Sequence, residues 1–360
     1  MSRNHSPSPP IFDGHNDTIL SIIQTGRSFF DRANDGHIDL PRAREGGLGG
    51  GFFAVYIADP VVAKHMAPGS ADLEAAMKIY HDESTWPEPM PLAYAQSNAV
   101  DILGRLLQIE AASNGQVKVV HTAAELQRCL DRGVFAMLLH FEGAEPLDAE
   151  GAALETFYAA GVRSVGLTHS RRNQFARGVP FKFPGSPDTG EGLTDAGKAL
   201  VRQLNRRRVM IDLSHLNEQG FWDVARLSDA PLVATHSNAF ALSRASRNLT
   251  DKQLDAIRES GGIAGLNFHV GFLREDGARN ADTPIARMVD HIDYMVGRIG
   301  IDHVGLGSDF DGALMPVELR DAAGLPGLVG ALHARGYTGE PLRQLLHGNW
   351  VRVLRDTWGA

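Results

Sequence analysis

Eight short apolar runs, all but the first followed by a stretch of helical character, mark out this chain. The runs are Ile11-Phe12-Asp13, Gly51–Ala58, Val134–His140, Arg163–Thr168, Val209–Leu213, Leu232–Thr235, Gly262–Phe268 and His303–Ser308. Most are continuous rather than alternating in polarity, as strands covered on both faces should be. Helical patterns fill the gaps. Ala71–Tyr80 and Ala93–Ala112 follow the second run, Ala152–Ala160 the third, Asp195–Arg207 the fourth and Asn217–Arg226 the fifth. Thr250–Ser260 follows the sixth, with Thr250 and Asp251 as cap candidates, and Thr283–Ile299 the seventh. The tail holds Leu325–Arg335 and Glu340–Trp358. Strand–helix alternation on this scale predicts a (β/α)₈ barrel. A doubly wound open sheet alternates too, so the count alone does not choose between them. With no fixed-period repeat and no dividing linker, the chain is expected to form one domain over residues 1–360.

The strand ends carry the chemistry. In a barrel of this kind the catalytic groups sit at the C-terminal ends of the strands. The first run leads into Asp13-Gly-His-Asn-Asp17, the third into His140-Phe-Glu142, the fourth into Thr168-His169 and the fifth into Ser214-His215. The sixth leads into His236-Ser237 and the eighth into Ser308-Asp309-Phe-Asp-Gly312. A single histidine there is best read as structural. So many ionisable groups at one mouth are costly to bury unless something compensates, and a metal does. Imidazole and carboxylate without thiolate suit Zn²⁺, and also Mn²⁺, Fe²⁺ or Co²⁺. His15 and Asp17 are two apart, so in an extended segment both point the same way and can reach one ion. Glu142 has two oxygens and can bridge to a second ion held by His215 and His236. Such a pair activates water and polarises a carbonyl, which is hydrolytic chemistry.

Asp309 follows the glycine-rich Gly305-Leu-Gly307. A phosphate cradle is disfavoured there by two carboxylates, Asp309 and Asp311. A turn or cap role stays open beside the functional reading, a proton shuttle to a leaving amine. One long loop, Ser170–Gly192, carries Arg171, Arg172 and Arg177 and follows a strand directly. Loops of this length are commonly functional or disordered, and this one is placed to wall or cover a site. Lys and Arg number 35 against 43 Asp and Glu, a net charge of −8. That lacks the basic excess of a nucleic-acid or anionic-membrane binder. The N-terminal residues show no apolar signal region, and no run is long enough to span a membrane, so a cytoplasmic protein is expected. The one cysteine, Cys129, excludes an intrachain disulfide and every multi-cysteine metal scheme. It lies in a helical stretch and reads as a buried thiol.

These segments resemble the membrane (renal) dipeptidase family, binuclear zinc peptidases of the amidohydrolase superfamily. The resemblance rests on Asp13-Gly-His-Asn-Asp17, Phe141-Glu-Gly-Ala-Glu145, Tyr158-Ala-Ala-Gly-Val-Arg163, Leu167-Thr-His169 and Ile211-Asp-Leu-Ser-His215. It continues through His236-Ser237, Ser246-Arg-Asn248 and Gly307-Ser-Asp-Phe-Asp-Gly312, in the family's order over residues 11–312, and Asn349-Trp-Val-Arg-Val-Leu354 is similar to its last helix. The resemblance implies a (β/α)₈ barrel and two Zn²⁺ per chain. His15 and Asp17 would bind one, His215 and His236 the other, and Glu142 would bridge. It further implies that His169 steadies the oxyanion at the scissile carbonyl and that Arg247 pairs with the substrate's C-terminal carboxylate, which its forked guanidinium suits. Asp309 would pass a proton from the attacking hydroxide to the leaving amine.

The expected reaction is hydrolysis of a short peptide by a hydroxide between two zinc ions, with a D-residue at the C-terminal position accepted by some relatives. A homodimer is consistent with the resemblance. Vertebrate members are secreted, disulfide-linked and lipid-anchored, so one cysteine and unmarked termini liken this chain to a soluble bacterial relative. The Ser170–Gly192 loop does not map onto the vertebrate pattern. His140 and His269, also at strand ends, stay outside the ligand set, and the remaining histidines read as surface or structural. Two rivals stand beside a dipeptidase. An amidohydrolase for another small amide, such as an N-acyl amino acid, would keep the same metal set. A silent binding barrel should lack a ligand or the shuttle acid, and none is missing.

Overall fold

The computed structural model describes residues 9–64 and 78–359. Its strands are β1 (Ile11–Asn16), β2 (Leu48–Tyr56), β3 (Val117–Val119), β4 (Phe135–Glu142), β5 (Val162–Gly166), β6 (Met210–Asp212), β7 (Val233–Ala234), β8 (Ile263–Leu266) and β9 (Val304–Leu306). They pair in parallel in the order β1-β2-β4-β5-β6-β7-β8-β9, with β3 alongside β4 and off that path. The ring closes just past β9. Asn16 bridges Phe310 in parallel, Asp17 N–H donates to Phe310 O at 2.8 Å, and Asp309 N–H donates to His15 O at 2.9 Å. The predicted barrel is therefore the fold, and the open sheet is excluded.

The period-two geometry of a strand sorts the side chains. On β4, Phe135, Met137, Leu139 and Phe141 pack outward among the helices, while Ala136 and Leu138 join the barrel interior with Phe12, Phe52, Val233 and Ile263. His140 and Glu142 continue that inward face at the upper end of the strand. The lower end is filled by Trp350, fully buried, whose Nε1–H donates to Leu306 O at 3.0 Å. The strands make room for the indole with glycines: a methyl on Gly14 would lie 2.4 Å from its Cζ2.

Helices surround the ring largely where periodicity puts them: Leu92–Ala112, Ala123–Arg132, Ala152–Ala159, Asp195–Arg206, Glu218–Leu227, Asp251–Glu259, Ile285–Ile299 and Leu325–Ala334. Thr250 caps its helix reciprocally with Gln253, each side chain taking the other's backbone N–H. Cys129 is buried. Several expectations are corrected. The first strand runs on to Asn16, so His15 lies within it. Two short helices, Thr18–Thr25 and Leu40–Gly46, and the strand Val117–Val119 are additions. Residues 71–77 of the helix expected at Ala71–Tyr80 lie outside the described residues, and Lys78–Tyr80 is a single 3₁₀ turn. The tail helix runs without a gap from Gly339 to Trp358, as expected, but widens into a π turn at Gln344–Gly348. Among the described residues no helix is long and apolar enough to cross a membrane.

Candidate metal centre

All five residues expected to bind metal converge at the upper mouth of the barrel, and all are buried. Glu142 is the hub. Its Oε1 lies 3.0 Å from His215 Nε2, 3.5 Å from His15 Nε2 and 3.6 Å from His236 Nε2. His15 Nε2 is 3.6 Å from Asp17 Oδ2, and His215 Nε2 is 2.9 Å from His236 Nε2. The His15 and His236 rings stack at 3.8 Å between centroids. Donor atoms of His15, Asp17 and Glu142 lie within 4.8 Å of one another, as do those of Glu142, His169 and His215, and those of His15, Asp212 and His236.

Hydrogen bonds fix which ring nitrogens face inward. Thr235 donates its hydroxyl hydrogen to Asp212 Oδ2 at 2.6 Å. Its oxygen can then only accept at the 2.7 Å contact with His236 Nδ1, so that nitrogen carries the proton and Nε2 is a bare lone pair. Ser170 Oγ holds His215 Nδ1 at 2.8 Å. Two Nε2 atoms are thus aimed at each other and at a carboxylate. Both nitrogens of His15 are buried without a hydrogen-bond partner. Buried polar atoms are normally satisfied, so this arrangement fits cations of the kind that nitrogen and oxygen donors hold. Asp212 also accepts from Ser214 N–H at 3.0 Å and Thr235 N–H at 2.9 Å, which gives it the character of a support. His140, at the same mouth, makes other contacts. Its Nδ1 meets Ser164 Oγ at 2.8 Å, and its Nε2 lies 3.5 Å from Asp212 Oδ2.

The charge balance of the cluster points the same way. Burial, reinforced by Asp17 and Asp309, pushes the Glu142 carboxyl well above its usual range. Burial, then Asp17, pushes Asp309 up to about 7. Burial would lower His15, but Glu142, Asp17 and Asp309 outweigh it and raise the ring to about 10. Burial holds His215 and His236 well below the ordinary imidazole value, with Arg247 and neighbouring histidines adding to it. The carboxylates and His15 thus draw positive charge into the cluster, while the neutral His215 and His236 rings keep lone pairs free to donate.

Three further expected residues border the cluster. His169 stacks on His215 at 4.3 Å and meets Tyr56 at 4.6 Å, and its Nδ1 is buried without a partner. Arg247 is 4% exposed and donates to Ser237 Oγ and His236 O, each at 3.1 Å. It makes no ion pair among the described residues, and its Nε has no partner. Asp309 Oδ2 accepts from Asn267 Nδ2–H at 2.8 Å. His215 and Asp309 both have left-handed backbones, with φ of 68° and 60°, a conformation uncommon for residues other than glycine. A methyl on Gly312 would lie 2.1 Å from Asp17 Oδ2 and 2.7 Å from Asp309 Oδ1, so the turn after β9 needs its glycine.

The supports Asp212, Thr235, Ser170 and Asn267 did not emerge from the sequence. A carboxylate inside the apolar run Val209–Leu213 was the one available signal. The long loop is ordered around Arg171, 1% exposed, which meets Glu145 at 3.2 Å and Asp59 at 3.0 Å.

Comparison with known proteins places the chain among dipeptidases. The model of the membrane dipeptidase family (peptidase family M19) matches residues 5–358. A metallopeptidase from Rhodobacter sphaeroides, whose crystal structure holds a phosphinate mimic of the dipeptide L-Ala-D-Ala, is 48% identical with a TM-score of 0.91, covering 98% of this chain and 100% of that one. An uncharacterized protein from the pqqA 5′ region of Klebsiella pneumoniae is 52% identical over 263 residues, 72% of this chain and 97% of its own. The dipeptidase tcpJ of Claviceps purpurea is 30% identical over 355 residues, 96% of this chain and 76% of its own.

Proposed function

The chain belongs to the membrane dipeptidase family and is a metal-dependent dipeptidase, and from that premise we propose that it cleaves short peptides at two zinc ions held by His15, Asp17, Glu142, His215 and His236. The observation that carries this reading is the convergence of three imidazole Nε2 atoms, at 3.0 to 3.6 Å, on Glu142 Oε1. Bound there, divalent cations supply activated water at neutral pH and polarise the scissile carbonyl.

The side chains around them have separable tasks. Arg247, buried and lacking an anionic partner among the described residues, binds the substrate's terminal carboxylate as a planar fork. His169 is kept neutral, chiefly by burial and next by Arg247. It donates a hydrogen bond to the carbonyl oxygen as negative charge builds there. Asp309 carries the proton to the departing amine, steadied by Asn267. Acceptance of a D-residue at the C-terminal position is part of the proposal. Its support is the L-Ala-D-Ala mimic held by the Rhodobacter relative. A cytoplasmic location belongs to it too and agrees with a single buried cysteine, as does a homodimer.

The test is hydrolysis of L-Xaa-L-Xaa, L-Xaa-D-Xaa and N-acetylated dipeptides by metal-stripped protein, with and without Zn²⁺. Zinc-dependent release of free amino acids, with about two zinc ions bound per chain, is the expected result. Cleavage confined to the N-acetylated substrates would replace this reading with an amidohydrolase for N-acyl amino acids.

A further inference from the structure

This inference rests on the dipeptidase reading of the site and names what that site selects. The segment from Gly178 to Lys182 crosses the barrel mouth and is tied down from three sides. Val179 N–H donates to His215 O at 2.8 Å, and Phe181 N–H donates to Tyr80 O at 2.8 Å. Ser246 supplies the third tie. Its N–H donates to Lys182 O at 3.1 Å, its hydroxyl donates to Pro180 O and accepts from Lys182 N–H at 3.1 Å. Phe181 therefore has a fixed backbone in a stretch without helix or strand.

The half-buried Phe181 ring stands edge-on to His169 at 5.6 Å and to His215 at 5.9 Å, and stacks with Phe272 at 6.3 Å. Phe272 is also half-buried, and the Arg247 guanidinium lies 5.7 Å from its ring centroid. The two rings thus span the distance from the imidazole assigned to the scissile carbonyl to the guanidinium assigned to the terminal carboxylate. In a dipeptide, what lies between those two groups is the C-terminal residue.

We propose that Phe181, together with Phe272, receives the side chain of the substrate's C-terminal residue and selects an apolar one. Half-open aromatic faces gain by being covered with hydrocarbon. An anionic side chain laid on them would lose water and meet the negative faces of the rings. Ser246 is then a positioning residue, joining the selecting loop to the segment that carries Arg247.

The test compares kcat/KM of the wild type and Phe181→Ala, both zinc-loaded, on Ala-Gly, Ala-Leu and Leu-Gly, using whichever enantiomer of the C-terminal leucine is cleaved. The Ala-Leu to Ala-Gly ratio is expected to fall about tenfold in the variant, the scale of a lost apolar contact in a binding pocket. The Leu-Gly to Ala-Gly ratio should hold, and Phe181→Leu should recover most of the loss. An equal loss on all three substrates, or a loss that follows the N-terminal leucine, overturns the proposal. Zinc content and melting temperature identify a variant that has collapsed, and Phe272→Ala then gives the same ratio from the partner ring. A wild type that cleaves no free dipeptide overturns the dipeptidase reading itself, and this inference with it.

Discussion

Thr235 illustrates how much of the site is decided by single hydrogens. Its hydroxyl gives its proton to Asp212 and takes one from His236 Nδ1, so one side chain sets the tautomer of a ligand. Thr235→Val keeps the shape and removes both bonds. Zinc affinity, measured by competition with a chelating dye, should fall about 10- to 100-fold, the range for lost outer-shell partners. Thr235→Ser should restore most of it; equal affinity in all three proteins would remove Thr235 from this role. The proposed ligands were legible only together: one histidine at a strand end reads as structural, but so many ionisable groups at one mouth do not. Thr235 and Ser170 were not, because a hydroxyl is ordinary at a strand end and its role exists only once two strands are side by side. His169 and Arg247 came through family resemblance, since spacing alone gave neither a role.

At the level of elements, the helix Ile285–Ile299 shows what a buried histidine does away from the metal. Ala239 N–H donates to His291 Nδ1 at 3.2 Å, so Nε2 carries the proton and donates to Leu273 O at 3.0 Å. A second ring proton would collide with the Ala239 donor. Burial foremost lowers this histidine to about 4 in the folded protein, from 6.5. Below pH 6.5 the unfolded chain therefore binds the proton more readily than the folded one. The stability contributed by the neutral ring is complete above pH 6.5 and drains away as pH falls towards 4, by up to about 3 kcal/mol. Urea unfolding of metal-free protein between pH 7 and pH 4.5 should show a shallower loss in His291→Gln than in the wild type; parallel curves would refute the assignment. Strands such as Phe135–Glu142 were plain in the sequence because both faces are covered and the run is apolar up to His140. Val117–Val119 was not, because Lys118 breaks a run of three. Thr18–Thr25 and Leu40–Gly46 escaped because seven or eight residues hold barely two helical turns of pattern.

For the whole molecule, the ligand cluster is an energetic liability that binding reverses. Glu142 and Asp309, pushed towards protonation, and a His15 ring without hydrogen-bond partners sit at the mouth where the barrel strands end. A cation bound only by the folded state stabilises it by mass action. Dialysis against a chelator should lower the melting temperature by roughly 5–10 °C, the scale of a few kcal/mol in a chain of this size, and added Zn²⁺ should bring it back. A melt indifferent to both treatments would mean that the cluster is stable without a metal.

Trp350 gives the barrel a floor. A vessel sealed below has one doorway, so substrate arrives and both amino acids depart through the same opening, past the Phe181 loop. Whichever product lies deeper must wait for the other. Each, while it waits, occupies groups the next dipeptide needs. Added free amino acids are therefore expected to compete with the dipeptide and raise its apparent KM, since they occupy the one entrance.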